Sequence, residues 1–248
     1  MAEGNSFSVS VVQIFNGSPL SLVTSWSGYG VTLFGNPYGV AVYPTTGTGN
    51  VYVLDNLNNA VYEFTSTGAV SNTWGGFNEP EGIAIDGSGN VYVADTGNNQ
   101  IKEFNQNGAP LNQWSSWTGG SVTTFSSPSA VAFDPGGNIY VADAGNEMVQ
   151  VFSSPGVYLN QWSTLPGSDI FGLAVTTSGP STFIYAADAA NSQVEEYDST
   201  GNLITEWNGS SGVLFSSPDG VVLSGGNIWV SDFDNGTSGT GSLEEFAP

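Results

Sequence analysis

Apolar residues recur along this chain in short runs, and each run is closed by a cluster of turn-forming residues. The clearest copy is the segment of residues 77–114, FNEPEGIAIDGSGNVYVADTGNNQIKEFNQNGAPLNQW. Its four β-branched or aromatic runs, separated by Gly, Asn and Asp, are typical of antiparallel strands joined by tight turns. One four-stranded sheet cannot bury both of its faces alone, so the pattern predicts that copies of this unit pack against one another.

The second run of the unit, which ends in Asp, occurs five times, as NVYVLD, NVYVAD, NIYVAD, FIYAAD and NIWVSD. The closing residues of these copies are Asp55, Asp95, Asp143, Asp188 and Asp232. Successive copies are 40, 48, 45 and 44 residues apart, which is the spacing of one four-stranded propeller blade per repeat. We therefore predict an all-β fold, a β-propeller of four-stranded antiparallel blades with five blades favoured and six as the alternative.

The predicted domain is a single propeller over residues 1–248, with closing strands in residues 1–33. The blades are placed at about 34–76, 77–124, 125–170, 171–214 and 215–248. The last blade stops after its third run, whereas residues 20–26 (LSLVTSW) carry the fourth-run pattern. We expect this N-terminal strand to complete the last blade and close the ring, which hides the sheet edges.

Residues 8–15 (SVSVVQIF) resemble a further third strand and compete with residues 243–246 for one position. This surplus strand is the basis of the six-blade alternative, in which the inner pair of a sixth blade lies upstream or comes from a neighbouring molecule. It also offers an edge for pairing with another copy of the chain. The candidate self-association residues are Val9, Val11, Ile14 and Phe15.

From Pro80 to Phe104 the sequence PEGIAIDGSGNVYVADTGNNQIKEF resembles the NHL-repeat family of β-propellers, and the resemblance extends over roughly residues 34–246. It implies the propeller fold, which by itself fixes no activity. NHL domains that bind RNA use a basic face, and the lyases similar to this fold depend on His. This chain has one Lys, no Arg and no His, and no motif matches the acidic centre of the strictosidine-synthase-like and lactonase relatives. The role that remains from the resemblance is a rigid interaction platform.

Charge sets further limits on the function. Charged residues make up only 9% of the 248 residues, and 22 acids face a single base, Lys102, for a formal net charge of −21. Nucleic-acid binding is excluded because it needs Lys and Arg against phosphate, and no apolar run is long enough for membrane insertion. The absence of His and Cys excludes Ser-His-Asp and Cys-His catalysis and disulfides.

The five repeat aspartates have two interpretations. They are expected on one face of the propeller near Glu79, Glu81, Glu147 and Asp169. There they would hold a cation such as Ca²⁺, which prefers oxygen ligands. Alternatively, each accepts backbone N–H bonds in its own turn, helped by Asn58, Asn98 or Asn146. One copy per blade at one position is what a fold motif requires, so the second interpretation is favoured; no cofactor is expected, and Ca²⁺ is the one candidate.

Aromatic residues and sequons raise the question of sugars. The fourth runs end in Trp74, Trp114, Trp162 and Trp207, which we expect to fill the gaps between blades rather than to form a sugar-stacking surface. Trp117 and Trp229 fall outside that series and are candidates for exposed aromatics. Asn-x-Ser/Thr sequons at Asn16, Asn208 and Asn235 allow a glycan if the chain is secreted.

These patterns together favour a non-enzymatic extracellular module that binds a protein partner or assembles with itself into a layer or filament. A leader is taken to lie outside this sequence. A chain with one base and no His is nearly uncharged in acid and would keep its compact state there, so an acidic or otherwise harsh setting is expected. The alternative is a metal-dependent hydrolase or lyase with a divalent cation at the acidic mouth of the propeller channel.

Overall fold

The structure is a computed structural model, and it describes residues 12–16, 21–26, 28–29, 32–43, 49–65, 67–154, 156–210, 213–233 and 242–246. Two hairpins come first: β1 (Val12–Asn16) with β2 (Ser21–Trp26), and β3 (Gly28–Tyr29) with β4 (Thr32–Leu33). Five antiparallel sheets follow, and they form the blades of a propeller. The prediction of an all-β propeller with five blades is therefore confirmed.

Four of the blades have four strands, paired in chain order. Blade 1 contains β5 (Pro37–Tyr43), β6 (Asn50–Asp55), β7 (Ala60–Phe64) and β8 (Val70–Gly75). Blade 2 contains β9 (Gly82–Ile85), β10 (Val91–Asp95), β11 (Gln100–Phe104) and β12 (Pro110–Trp114). Blade 3 contains β13 (Pro128–Phe133), β14 (Ile139–Asp143), β15 (Met148–Ser153) and β16 (Val157–Ser163). Blade 4 contains β17 (Ile170–Ser178), β18 (Ser181–Asp188), β19 (Gln193–Asp198) and β20 (Leu203–Trp207).

Blade 5 follows a short hairpin of β21 (Gly209–Ser210) and β22 (Val213–Leu214), and its described strands are β23 (Pro218–Ser224), β24 (Asn227–Asp232) and β25 (Ser242–Phe246). The expectation that residues 20–26 complete this blade is wrong, because β2 pairs with β1. Residues 12–16 and 21–26 are separated by a short connection, so their pairing closes a small loop. Pairing of β2 with β25 would close a loop of almost the whole chain, which costs more conformational entropy. Among the described strands, β25 pairs with β24 alone.

Packing between successive blades supplies the core. Each of the four interfaces from blade 1 to blade 5 is a cluster of apolar side chains drawn from both neighbours. The fourth-strand tryptophans lie in these clusters as predicted: Trp74 contacts Phe104 of the next blade, with ring centroids 6.0 Å apart. Trp117 is not an exposed aromatic, since its ring packs against Phe125 and Phe152 at 4.6 and 5.1 Å between centroids.

The paired asparagines of the repeat divide two tasks between them. Asn98 donates its side-chain amide to Asp95 of its own blade at 3.0 Å. Asn99, at a positive φ of 52°, accepts the backbone N–H of Ser127 in the loop that leads into blade 3, at 2.7 Å. Asn tolerates this left-handed conformation better than most residues, so the second Asn fixes the contact between neighbouring blades.

A glycine in the first strand lets the inner strands approach one another. A Cβ built on Gly82 would lie 2.6 Å from the carbonyl oxygen of Ser129 in the next blade, which no side chain tolerates. Across the described residues, no helix is long and apolar enough to cross a membrane.

Candidate functional site

The five repeat aspartates are buried at the ends of the second strands. The Asp55 carboxylate accepts the backbone N–H groups of Gly35 and Asn36 at 2.7 and 2.9 Å, and the side-chain amide of Asn58 at 2.9 Å. The other four also accept N–H groups from the loop that leads into their own blade, and the donors are Asn78, Ser126, Asp169, Ser216 and Ser217. Each carboxylate therefore ties the turn after the second strand to the start of its blade.

These hydrogen bonds agree with the second interpretation of the aspartates, in which each carboxylate accepts backbone N–H groups and stabilises the fold. Within the described parts of the chain, no group of three or more acidic side chains stands close enough to hold a metal ion. Cation binding by these five residues stays a prediction.

In blades 2, 3 and 4 a residue of the third strand lies beside the buried aspartate, and its chemistry differs between these blades. It is Lys102 in blade 2, where Nζ lies 2.8 Å from the Asp95 carboxylate. It is Gln150 in blade 3, where Nε2 donates to Asp143 at 2.5 Å. One position thus carries an ammonium group in one blade and an amide in the next, each satisfying the same acceptor.

In blade 4 the corresponding residue is a second carboxyl group, Glu195. It is hydrogen-bonded to Asp188, and both residues are fully buried. Burial, together with the charge and hydrogen bond of Asp188, raises the pKa of Glu195 from 4.5 to about 7, although the Tyr197 hydroxyl donates a hydrogen bond to it. The Glu195 carboxyl therefore retains a proton in the folded state at pH values where an exposed glutamate is ionised.

A central channel opens between the blades. A cavity of about 710 Å³ lies between the first strands of the blades, within the size range of ligand sites. Four residues that directly follow the repeat proline, or the Ile170 that replaces it, line this cavity, and we call them the channel mouth: Tyr38, Glu81, Phe171 and Asp219. The rings of Tyr38 and Phe171, from blades 1 and 4, are 6.2 Å apart between centroids.

The carboxyl groups of the channel mouth are partly desolvated. Burial, and then the charges of Asp169 and Glu79, raise the pKa of Glu81 from 4.5 to about 7. Burial also raises the pKa of Asp219, although the Ser231 hydroxyl donates to it at 3.1 Å.

No basic side chain of this protein neutralises the channel mouth. Lys102 is the only Lys or Arg in the sequence, and there is no His. Its ammonium group is held by Asp95 and by the carbonyl oxygen of Gly76. The acids at the mouth are therefore available to a positively charged group from outside the chain.

The structure separates what the sequence had grouped together. The predicted acidic mouth exists, but Glu81 and Asp219 supply its lining acids, whereas the repeat aspartates lie inside their blades. Of the self-association candidates, Ile14 and Phe15 lie in β1, and Val9 and Val11 lie outside the described residues.

Sequence reasoning missed Tyr38, Phe171 and Asp219 because it searched for what the repeats share. The residue after the repeat proline differs in every copy: Tyr38, Glu81, Ser129, Phe171 and Asp219. That variation was a readable signal. A position that the blade structure requires carries the same residue in each blade. A position that the blade structure does not constrain can differ between blades and can contribute to a binding site.

Comparison with known proteins supports the fold. The family model described as NHL repeat matches residues 77–104 and 125–152. No curated protein sequence matches the chain.

Solved structures share the fold at low sequence identity. Virginiamycin B lyase from Staphylococcus aureus is 14% identical with a TM-score of 0.58, over 84% of this chain and 69% of the lyase. A protein of unknown function from Bacteroides caccae is 16% identical with a TM-score of 0.66, over 92% and 81% of the two chains. Hydrazine synthase of Kuenenia stuttgartiensis is 15% identical with a TM-score of 0.62, over 83% of this chain and 58% of the synthase chain. At these identities the likeness concerns the fold alone.

Proposed function

This chain is a five-bladed propeller that contains NHL repeats, and we propose that it is a non-enzymatic binding module whose channel mouth holds a positively charged part of a partner protein. The observation that carries the proposal is the pair of carboxyl groups, Glu81 and Asp219, in a cavity where the chain supplies no cation. The aromatic rings of Tyr38 and Phe171 add a second attraction, since the face of an aromatic ring also attracts cations.

The test compares peptides of equal length that carry three Lys, three Glu or neither, using calorimetry. The lysine peptide should bind best, and Glu81→Gln with Asp219→Asn should weaken it at least about tenfold, which is the effect of 1.4 kcal/mol. The matched control is Glu147→Gln with Glu206→Gln, which removes two charges from exposed positions. Equal losses in the two double variants would mean that bulk charge alone attracts the peptide.

Binding should also depend on pH. The pKa of Glu81 is raised to about 7, so the carboxylate forms as the pH rises from 6 to 8. The affinity for the lysine peptide should increase over that range in the wild type and much less in Glu81→Gln. An unchanged affinity from pH 6 to pH 8 would argue against a role of Glu81.

The proposal places the module outside the cell and allows it to assemble with itself. The low charge density, with 9% charged residues and a single base, supports a surface with little repulsion once its acids are protonated. Electron microscopy and light scattering from pH 2 to pH 7, with and without Ca²⁺, test this part. Fibres or sheets would support self-assembly, and a monomer under every condition would refute it.

The second candidate is a hydrolase or lyase with a divalent cation at the channel mouth. The observation in its favour is the pKa of Glu81 near 7, which is suited to a general acid or base. A bound metal ion stabilises the folded state, so a chelator lowers the melting temperature under this candidate and leaves it unchanged under the first.

A further inference from the structure

The inner strands pack in the same way at each of the four interfaces between successive blades. The second and fourth apolar residues of the first-strand motif face the preceding blade, as Ile83 and Ile85 do in the cluster shared by blades 1 and 2. The alanine between them faces the next blade, as Ala84 does in the cluster shared by blades 2 and 3. A row of small residues on one blade thus covers a pair of larger apolar residues on its neighbour.

This arrangement does not continue from blade 5 to blade 1. The residues of blade 1 that correspond to Ile83 and Ile85 are Val40 and Val42, which are 52% and 57% exposed. On the opposite side, Val222 of β23 takes the place of the alanine and is 59% exposed. The apolar faces of the two first strands, β5 and β23, therefore lie open, whereas β6 and β7 of blade 1 are buried in a cluster with Phe34.

The hairpin of β1 and β2 has the register of the outer half of a blade. Val12 pairs with Trp26, as Val61 pairs with Trp74 in blade 1. The ladder is interrupted between Ile14 and Phe15. The same interruption occurs between the third-strand residues of all four complete blades, at Glu63/Phe64, Glu103/Phe104, Val151/Phe152 and Glu196/Tyr197.

In a complete blade, the other edge of the third strand pairs with the second strand. Among the described strands, β1 pairs with β2 alone. The chain therefore combines an outer half-blade, with one edge of β1 free of any described strand, and two exposed inner-strand faces on β5 and β23.

We propose that the face formed by Val40, Val42 and Val222 binds a two-stranded β-segment that residues 1–248 do not contain, which adds as the inner half of a sixth blade and pairs with β1. The four packed interfaces define the chemistry of that segment. Its first strand presents Gly and Ala toward Val40 and Val42, and larger apolar residues toward Val222.

The segment comes from outside residues 1–248, because these residues have no inner pair to spare. The first-run and second-run motifs occur five times each, and all five pairs form the first and second strands of blades 1–5. A second copy of the chain uses its own five pairs in the same way, so donating one of them would open one of its own blades.

The chain itself supplies a probe: a synthetic peptide of residues 80–95, PEGIAIDGSGNVYVAD, which is the inner pair of blade 2. The peptide contains Glu81, Asp86 and Asp95 and no base. Bulk electrostatic attraction to a protein of net charge −21 therefore cannot produce its binding. The measurement is made at about 0.15 M salt, where charges are screened beyond about 8 Å.

We expect the peptide to bind, to raise the melting temperature and to slow hydrogen exchange of the amides of residues 12–16, whereas a scrambled peptide does none of these. Val40→Ser with Val42→Ser should weaken binding at least tenfold. Both residues are more than half exposed, so the variant should keep its near-UV circular dichroism. Leu57→Ser is the control, since Leu57 is 69% exposed on a turn of the same blade.

No binding, or equal binding by the Val40/Val42 variant, overturns the proposal. So does binding without protection of residues 12–16, because β1 is then not the pairing edge. A dimer of the protein alone that dissociates on Val40→Ser with Val42→Ser assigns the face to a second copy of these residues and overturns the proposal. Val40 and Val222 line the same cavity as the channel mouth, but the lysine-peptide test varies Glu81 and Asp219 instead, so either proposal can fail without the other.

Discussion

The buried pair of Asp188 and Glu195 allows a sharp test of how this fold tolerates acid. The pKa of Glu195 is 4.5 in the unfolded chain and about 7 in the folded protein. The folded state thus holds a proton that the unfolded state has lost between these pH values, and stability falls as the pH rises through that window. Each pKa unit corresponds to about 1.4 kcal/mol, so ionising Glu195 above pH 7 costs the folded state about 3 kcal/mol.

Glu195→Gln removes this cost because glutamine does not ionise. Gln150 occupies the corresponding position in blade 3 and donates to Asp143, so a glutamine can satisfy Asp188 without a second charge. The variant should gain about 3 kcal/mol over the wild type at pH 8 and almost nothing at pH 4. For a chain of this length the gain corresponds to a rise in melting temperature of roughly 10 °C.

Urea unfolding and thermal scans at pH 4, 6 and 8 measure the difference. Gln150→Glu is the reciprocal variant: it creates the acid pair in blade 3 and should destabilise the protein at pH 8 more than at pH 4. Glu206→Gln at an exposed site controls for the loss of one negative charge. The reasoning fails if Glu195→Gln has the stability of the wild type at pH 8, or if its gain is the same at pH 4 as at pH 8.

Further predictions concern other single sites. Lys102→Met leaves the buried Asp95 without its ion pair and should lower the free energy of unfolding in urea by about 3 kcal/mol. Lys102→Gln should cost less than half of that, because it reproduces the glutamine found at this position in blade 3. Equal costs would mean that the amide cannot replace the ammonium group. Gly201→Ala places a Cβ 2.4 Å from Trp162 at a φ of 89° and should cost more than the roughly 1–2 kcal/mol that the left-handed conformation alone costs a residue with a Cβ. Gly179→Ala, also at positive φ but with nothing within 4 Å, is its control, and similar melting temperatures for the two variants would refute the contact. For the wild type, the falling stability between pH 4.5 and pH 7 should appear as a higher melting temperature at pH 4.5 than at pH 8; a collapse between pH 5 and pH 2 would contradict the proposed tolerance of acid.

The blade pattern was readable from the sequence because it depends on local chemistry. Strand runs, turn residues and the spacing of the repeat motif depend on neighbours within a few residues, and they recur five times. The fourth-strand tryptophans fill the gaps between blades, as their constant position in the repeat predicted. The repeat aspartates accept hydrogen bonds within their own blades, which agrees with the favoured interpretation.

The pairing of β1 with β2 belongs to the alternative that the sequence left open, and it was not the favoured prediction. Residues 20–26 carry a fourth-strand pattern that fits two partners equally well, β25 or β1. The pattern specifies which face of a strand is apolar, and it contains no information on which of two similar edges lies nearby. That choice depends on loop closure across the whole chain, and it is seen only when the sheets are placed in three dimensions.

The repeat, the strand order within each blade and the shortage of basic residues, one Lys against 22 acids, follow from the sequence alone. It did not determine which acids share the channel, because Glu81 and Asp219 are 138 positions apart and meet only when the blades form a ring. It also could not distinguish the buried Glu195 from the exposed Glu206, which have the same chemistry. Burial and proximity across blades set the pKa values, the open faces of β5 and β23, and the channel mouth, and these depend on how the sheets pack against one another.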